Sequence, residues 1–283
     1  MSKKKTIIAV ASAVTVFVAV AAVVFIKSGN KENPTVQETV TTTAAVTTVP
    51  ETEPVTEPVT TYPPFVNGLS LKAQEYKEMN SDTVGWIRLS NTVIDYPVVK
   101  AGDNDYYINR DFDRREDPAG WVFMDFRCGM ESEYFTENTL MYGHNMADGS
   151  MFSDLKKYQR DEAFYEQNPI IEVSSLSADY QYKVFAFMLC NGVKGSDFEF
   201  WNYIFFPQET EDPEWSLAKY LSKINDKSLI TTNVDVREGD KLLALSTCNT
   251  GDTTDPTRFV VLARMVRPGE DVMEGTTGSV RRY

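Results

Sequence analysis

A mostly β chain with peripheral helices is the fold class this sequence predicts, and three observations lead there. Short runs rich in β-branched, aromatic and apolar residues recur at 84–89, 93–99, 121–126, 139–142, 170–173, 180–190, 241–245 and 259–266, separated by polar turn-forming stretches. Helical spacing of apolar residues is confined to a few isolated segments. A hydrophobic content of 42% in 283 residues is enough for a real core.

Taken in order, residues 1–5 carry Lys3, Lys4 and Lys5 and precede an uncharged apolar stretch at 6–26 that stops at Lys27. About 20 apolar residues at ~1.5 Å rise cross a ~30 Å hydrocarbon core, so 6–26 is expected to be a transmembrane anchor. The lysines before it and the acidic stretch after it put residues 1–5 in the cytoplasm and the rest outside, as a single-pass protein of the cell membrane. A cleaved signal peptide is the rival, with Ala19-Val20-Ala21 as its small-residue site, but cutting there would leave a greasy new N-terminus. Residues 27–64 are dominated by Thr, Val, Pro and Glu without apolar periodicity, which predicts a disordered stalk. Extended, such a stalk holds a domain up to roughly 100 Å from the bilayer.

The folded domain is expected over 65–269, followed by a C-terminal tail at 270–283. Leu69, Leu71, Ala73, Tyr76 and Met79 suggest a short amphipathic helix over 69–79. Pro97 in the second strand suits an edge or a bulge. The charged segment 111–117 reads as a solvated loop. Met151, Phe152, Leu155 and Tyr158 recur at helical spacing, with Ala163, Phe164 and Tyr165 continuing after a break; all suit the core. The connection 191–240 is long and carries its own helix signal, with Pro213 near the start and Trp215, Leu217, Ala218, Leu221 and Ile224 as the apolar face. Long insertions of this kind usually shape access to a site. Phe198, Phe200 and Trp201 are therefore either substrate contacts or parts of a covering helix segment.

Three residues stand where chemistry is usually placed. Cys248 ends the run beginning at Lys241, Arg258 opens the last long strand, and His144, the only histidine, follows 139–142 and precedes the loop 145–150. Cys, His and Arg at strand ends facing loops make a candidate nucleophile, acid/base and anion-stabilising cation. The alternative is a buried thiol, a turn histidine and a solvated charge, because cysteine is among the most buried residue types.

The wording around these residues resembles the sortases, the membrane-anchored cysteine transpeptidases of Gram-positive bacteria. Leu245-Ser246-Thr247-Cys248 is similar to their nucleophile motif, Tyr142-Gly143-His144-Asn145 to their histidine segment, and Arg258-Phe259-Val260-Val261 to their arginine strand. The resemblance is to class B and extends over 69–267. It includes the segments 80–87 and 92–99, then Asp103-Asn104-Asp105-Tyr106-Tyr107 and Gly120-Trp121-Val122-Phe123-Met124-Asp125 in the same order. Ordered matches carry more weight than any one tetrapeptide.

The resemblance implies a closed sortase-type β-barrel with an N-terminal helix and a helix-bearing insertion before the nucleophile strand. It also implies a two-step acyl transfer in which Cys248, His144 and Arg258 are catalytic. The implied partners are secreted proteins bearing a C-terminal sorting signal, cleaved after Thr, and a peptidoglycan peptide amine, or a pilin lysine, as acceptor. No cofactor and no metal are expected. Acidic helpers in the loop 249–257, such as Asp252 or Asp255, stay unassigned. A sortase of another class, such as a pilus polymerase, is the rival enzyme, although no second apolar anchor follows Arg267. A papain-like protease fits less well, since its nucleophile opens a helix whereas Cys248 ends a strand. A stalked, non-enzymatic adhesin is the rival outside enzymes.

The net charge of −13 argues against a nucleic-acid partner, which would need a concentrated basic surface. Cys128, Cys190 and Cys248 show no C-x-x-C spacing, which argues against a zinc or thioredoxin-like site. Outside the cell Cys128 and Cys190 have the option of pairing, although each also suits a small apolar strand position.

Overall fold

The computed structural model describes residues 66–250 and 254–282. The expected cytoplasmic tail, transmembrane anchor and stalk at 1–5, 6–26 and 27–64 lie outside the described residues. Among the described residues no helix is long and apolar enough to cross a membrane.

Eight strands make the central barrel: β1 Thr83–Leu89, β2 Asp95–Val99, β3 Phe123–Met124, β4 Asn138–Tyr142, β5 Ile170–Ser174, β6 Asp179–Asn191, β7 Leu242–Cys248 and β8 Thr257–Met265. They close into a barrel in the order β1-β2-β3-β4-β7-β8-β6-β5. Closure gives every strand a neighbour on both sides, which limits the open edges that are the usual liability of a sheet, although β2 and β3 meet at a single residue pair. Leu140, Val184, Leu243, Leu245 and Val261 are fully buried in its core. Burying each such side chain is worth about 1.5–3 kcal/mol.

Most neighbouring pairs are antiparallel; β4–β7 and β2–β3 are parallel. The β4–β7 pairing decides where the site forms. Two strands running the same way end at the same rim of the barrel, and here Tyr142 is level with Ser246.

The sequence places most elements well, and the departures have local causes. The run 121–126 yields only the two-residue strand β3, because the chain turns at Asp125, whose carbonyl accepts from Cys128 N at 2.8 Å. Pro97 keeps the edge character expected of it. It pairs with Trp86 of β1, while β2 meets β3 only at Val99↔Phe123, so the missing N–H interrupts no ladder on that side.

The first helix, α1 Leu69–Met79, has glycine at its N-cap, so locally only Asn67 Oδ1 accepts, from Leu69 N at 3.1 Å. Its N-terminus is closed by the distant Asp179 carboxylate, which accepts from Asn67, Gly68 and Ser70 N at 2.8, 2.9 and 2.6 Å. The insertion helix, α2 Leu217–Lys227, starts later than Pro213 suggests. Ser216 is the N-cap and accepts from Lys219 N, so Trp215 falls outside the helix and is exposed. The buried face is Leu217, Tyr220 and Ile224; Ala218 points outward.

After the histidine loop the helical pattern is broken into short turns at Ser153–Lys156, Lys157–Arg160 and Phe164–Gln167. In the charged segment 111–117, Arg114 is docked rather than solvated alone, donating to Asn80 Oδ1 at 2.6 Å and Asp82 Oδ2 at 3.1 Å.

The segment from residue 270 onward packs on the domain: Val280–Arg281 pairs with Ile230–Thr231. Glu270 meets the buried cations Arg264 and Lys183. Burial works to raise the Glu270 carboxyl, but these hydrogen-bonded cations outweigh it and hold it down at about 2. The three cysteines are free thiols. Burial pushes Cys128 up to about 11 and Cys190 to about 12, so both are inert, protonated fillers at neutral pH.

Candidate active site

Register assembles the site. Because Tyr142 lies beside Ser246 in the parallel pair, the segment leaving β4 emerges next to the end of β7, carrying His144 toward Cys248. In the antiparallel pair β7–β8, Cys248 and Arg258 are direct cross-strand partners. All three line one cleft of about 560 Å³. Arg258 is the second residue of β8, at the opening of the strand as the sequence reading has it.

The histidine is held from several directions. Its Nε2 lies 2.8 Å from the Ile108 carbonyl. A carbonyl only accepts, so Nε2 carries the hydrogen and Nδ1 bears the lone pair in the neutral ring. The His144 carbonyl accepts from Phe152 N at 2.9 Å, and Gly143 N donates to Ser246 O at 3.2 Å. A side chain at Gly143 would meet the Phe152 ring at 2.8 Å, so only glycine lets the chain pass this close to the core. Asn145 Nδ2 donates to the Cys248 carbonyl at 3.1 Å, tying the histidine loop to the cysteine backbone.

The two titratable groups move each other in opposite directions. Cys248 is lowered, first by its hydrogen bond with His144, against burial, and then by the charges of Arg258 and His144. His144 is raised, first by the hydrogen bond with Cys248, against burial, and further by the Ile108 carbonyl. Both shifts favour thiolate beside imidazolium, which increases the nucleophilic fraction of the sulfur.

Arg258 has room because residue 192 is glycine. A Cβ there would lie 2.9 Å from Arg258 Cγ and 2.9 Å from the Pro256 carbonyl. Behind the cysteine, Lys156 is almost fully buried; its ammonium donates to the Asn249 and Gln159 side chains and sits 4.5 Å over the Phe259 ring. Burial pulls Lys156 down to about 8.

The insertion supplies one wall. Phe200 and Trp201 line the cleft, whereas Phe198 packs inward against Tyr203 and Tyr220. The sequence reading assigns no role to the Ile108 carbonyl, Asn145, Lys156, or the pair Asp125 and Arg127, although Asn145 and Asp125 fall in segments that carry the resemblance. Only Asn145, adjacent to His144, and Asp125-Phe126-Arg127, a charged interruption of an apolar run, had a visible signal.

A closed barrel that presents a cysteine, a histidine and an arginine in one peptide-sized cleft defines a class of cysteine acyl-transfer enzymes. The chain belongs to the sortase family: the Sortase domain model matches residues 87–266. Its relatives place it with the class B cysteine transpeptidases. Sortase B of Listeria monocytogenes is 36% identical over 194 residues, covering 68% of this chain and 73% of that protein. The Staphylococcus aureus sortase B–substrate complex superimposes with a TM-score of 0.60 at 31% identity, covering 70% of this chain and 86% of that one. A structure of sortase B complexed with triglycine gives the same TM-score, identity and coverage.

Proposed function

We propose that the cleft receives a sorting signal near the C-terminus of a secreted protein, cleaves it after Thr, and transfers the acyl fragment to an amine of a cell-wall peptide. The observation that carries this reading is the direct pairing of Cys248 with Arg258 across β7 and β8, in a cleft that His144 also lines. The substrate and triglycine complexes of related sortase B proteins support a peptide donor and an amine-ended acceptor. The apolar stretch at 6–26 supports a membrane-anchored enzyme acting outside the cell.

In the first step Cys248 Sγ attacks the threonine carbonyl carbon. The carbon–nitrogen bond breaks, His144 gives its proton to the leaving amine, and a thioacyl enzyme remains. Arg258 stabilises the oxyanion formed at that carbonyl. In the second step the acceptor amine attacks the thioester, loses a proton to His144, and leaves as an amide while Cys248 is released as thiolate.

A library of threonine-containing peptides incubated with candidate amines, read by mass spectrometry, tests the reading. The expected product is the fragment ending in Thr joined to the amine. Cleavage at another residue, or no amide in the presence of any amine, would contradict it.

A further inference from the structure

One carboxylate outside the Cys–His–Arg group ties the cleft together. Asp125 is fully buried at the turn after β3. It accepts from Arg127 N at 3.0 Å, Arg127 Nε at 2.9 Å, Arg127 Nη2 at 2.9 Å, Asn104 Nδ2 at 2.9 Å and Tyr142 OH at 3.0 Å. Arg127 Nη2 also donates to the Trp201 carbonyl at 2.8 Å, and Asn104 Oδ1 accepts from Phe126 N at 2.9 Å.

The residues gathered by these bonds come from three separate parts of the chain. Asn104 lies in the connection after β2, Tyr142 ends β4, and Trp201 belongs to the insertion. Asn104, Arg127, Tyr142 and Trp201 all line the cleft that contains Cys248. Desolvating a carboxylate is costly, and five donors are what make it tolerable here. A carboxylate serving only the stability of its own turn would not need donors from two other segments.

We propose that Asp125, acting through Arg127, is a positioning residue that sets the spacing of the cleft walls and thereby the affinity for the peptide. The inference rests on the peptide-transfer reading of the cleft, since a wall spacing matters only to a ligand held between the walls. Neither Asp125 nor Arg127 takes part in bond making. Asp125→Asn keeps the size but has one acceptor oxygen for donors that used two, and its amide adds donors where donors already crowd. Arg127→Lys keeps one ion pair but cannot reach Asp125 in a fork and Trp201 O together.

Three readouts on the full-length protein separate positioning from general damage. For Asp125→Asn the KM for a sorting peptide is expected to rise about tenfold or more, with a smaller change in kcat and a lesser effect for Arg127→Lys. Alkylation of Cys248 by iodoacetamide, which needs no walls, is expected to stay within about twofold of the parent rate. Hydrogen exchange is expected to quicken at 103–108 and 199–203 while β7 and β8 keep their protection. An unchanged KM, or alkylation falling in step with turnover, would overturn the proposal. If Asp125→Asn does not fold, Arg127→Lys decides on the same criteria. If the parent protein fails to turn over any sorting peptide, the functional reading fails; unchanged exchange at both wall segments is what would overturn the positioning claim.

Discussion

Cys248→Ala is expected to abolish both thioacyl formation and amide product, with the folded domain intact. The side chain ends β7 and is only half-buried, so losing its sulfur removes little packing, and the flanking Thr247 and Ser246 remain in the ladder with Phe259 and Val260. No other cysteine can substitute. Cys128 and Cys190 are buried and held protonated, outside the cleft lining. Without a nucleophile there is no covalent intermediate to partition between water and amine, and residual positioning effects have nothing to act on. Intact-mass measurement after mixing with peptide checks this; full turnover by the alanine variant would end the acyl-transfer account.

Arg258→Lys is expected to lower kcat/KM by about 10²–10³ with little change in melting temperature. Lysine keeps the positive charge opposite Cys248 in the β7–β8 ladder, so a purely Coulombic role would be largely preserved. The guanidinium differs in being a rigid planar fork, and the chain makes space for its stem by placing Gly192 against Arg258 Cγ. A lysine ammonium at the end of a flexible stem does not hold two donors toward a developing oxyanion. Steady-state kinetics on the purified variant checks the magnitude, and near-parental activity would assign Arg258 a role in charge alone.

Much of this arrangement is legible in the sequence because its carriers are strongly patterned. The runs that became β7 and β8 are continuous and apolar, as strands buried on both faces are, and they are bounded by a polar loop that puts Cys248 and Arg258 near the same rim. His144 is legible for the same reason at the end of β4. The helix over Leu69–Met79 stands where the sequence puts it, but only Leu69 and Ala73 of its apolar residues are buried, while Leu71 and Met79 are exposed. The parts that stayed hidden depend on backbone groups or on tertiary partners. The Ile108 carbonyl that holds His144 is a main-chain acceptor with no residue signature. Lys156 sits beside Lys157 in a segment whose pattern marks only its apolar residues as core, yet the fold buries one lysine and leaves the other reaching outward to Asn91 O. Asp125 falls in a run that reads as strand; three of its five donors belong to Arg127 two residues on, and the other two, on Asn104 and Tyr142, reach it only because the barrel brings them there. The spacing of Trp215 fits the insertion helix, but Ser216 supplies the cap and the helix begins only at Leu217.

The rate of Cys248 alkylation by iodoacetamide as a function of pH, in the parent protein and in His144→Ala, tests the coupling of the site most directly. Cys248 is lowered in the folded protein, chiefly through His144, so its thiolate should persist as pH falls below the ordinary thiol value of ~8.5. The rate profile of the parent is therefore expected to have its midpoint below that value, and removing the imidazole should move the midpoint upward. The same midpoint in both proteins, or a parent midpoint at or above that of a free cysteine, would show that sulfur and imidazole are not coupled and would contradict the account.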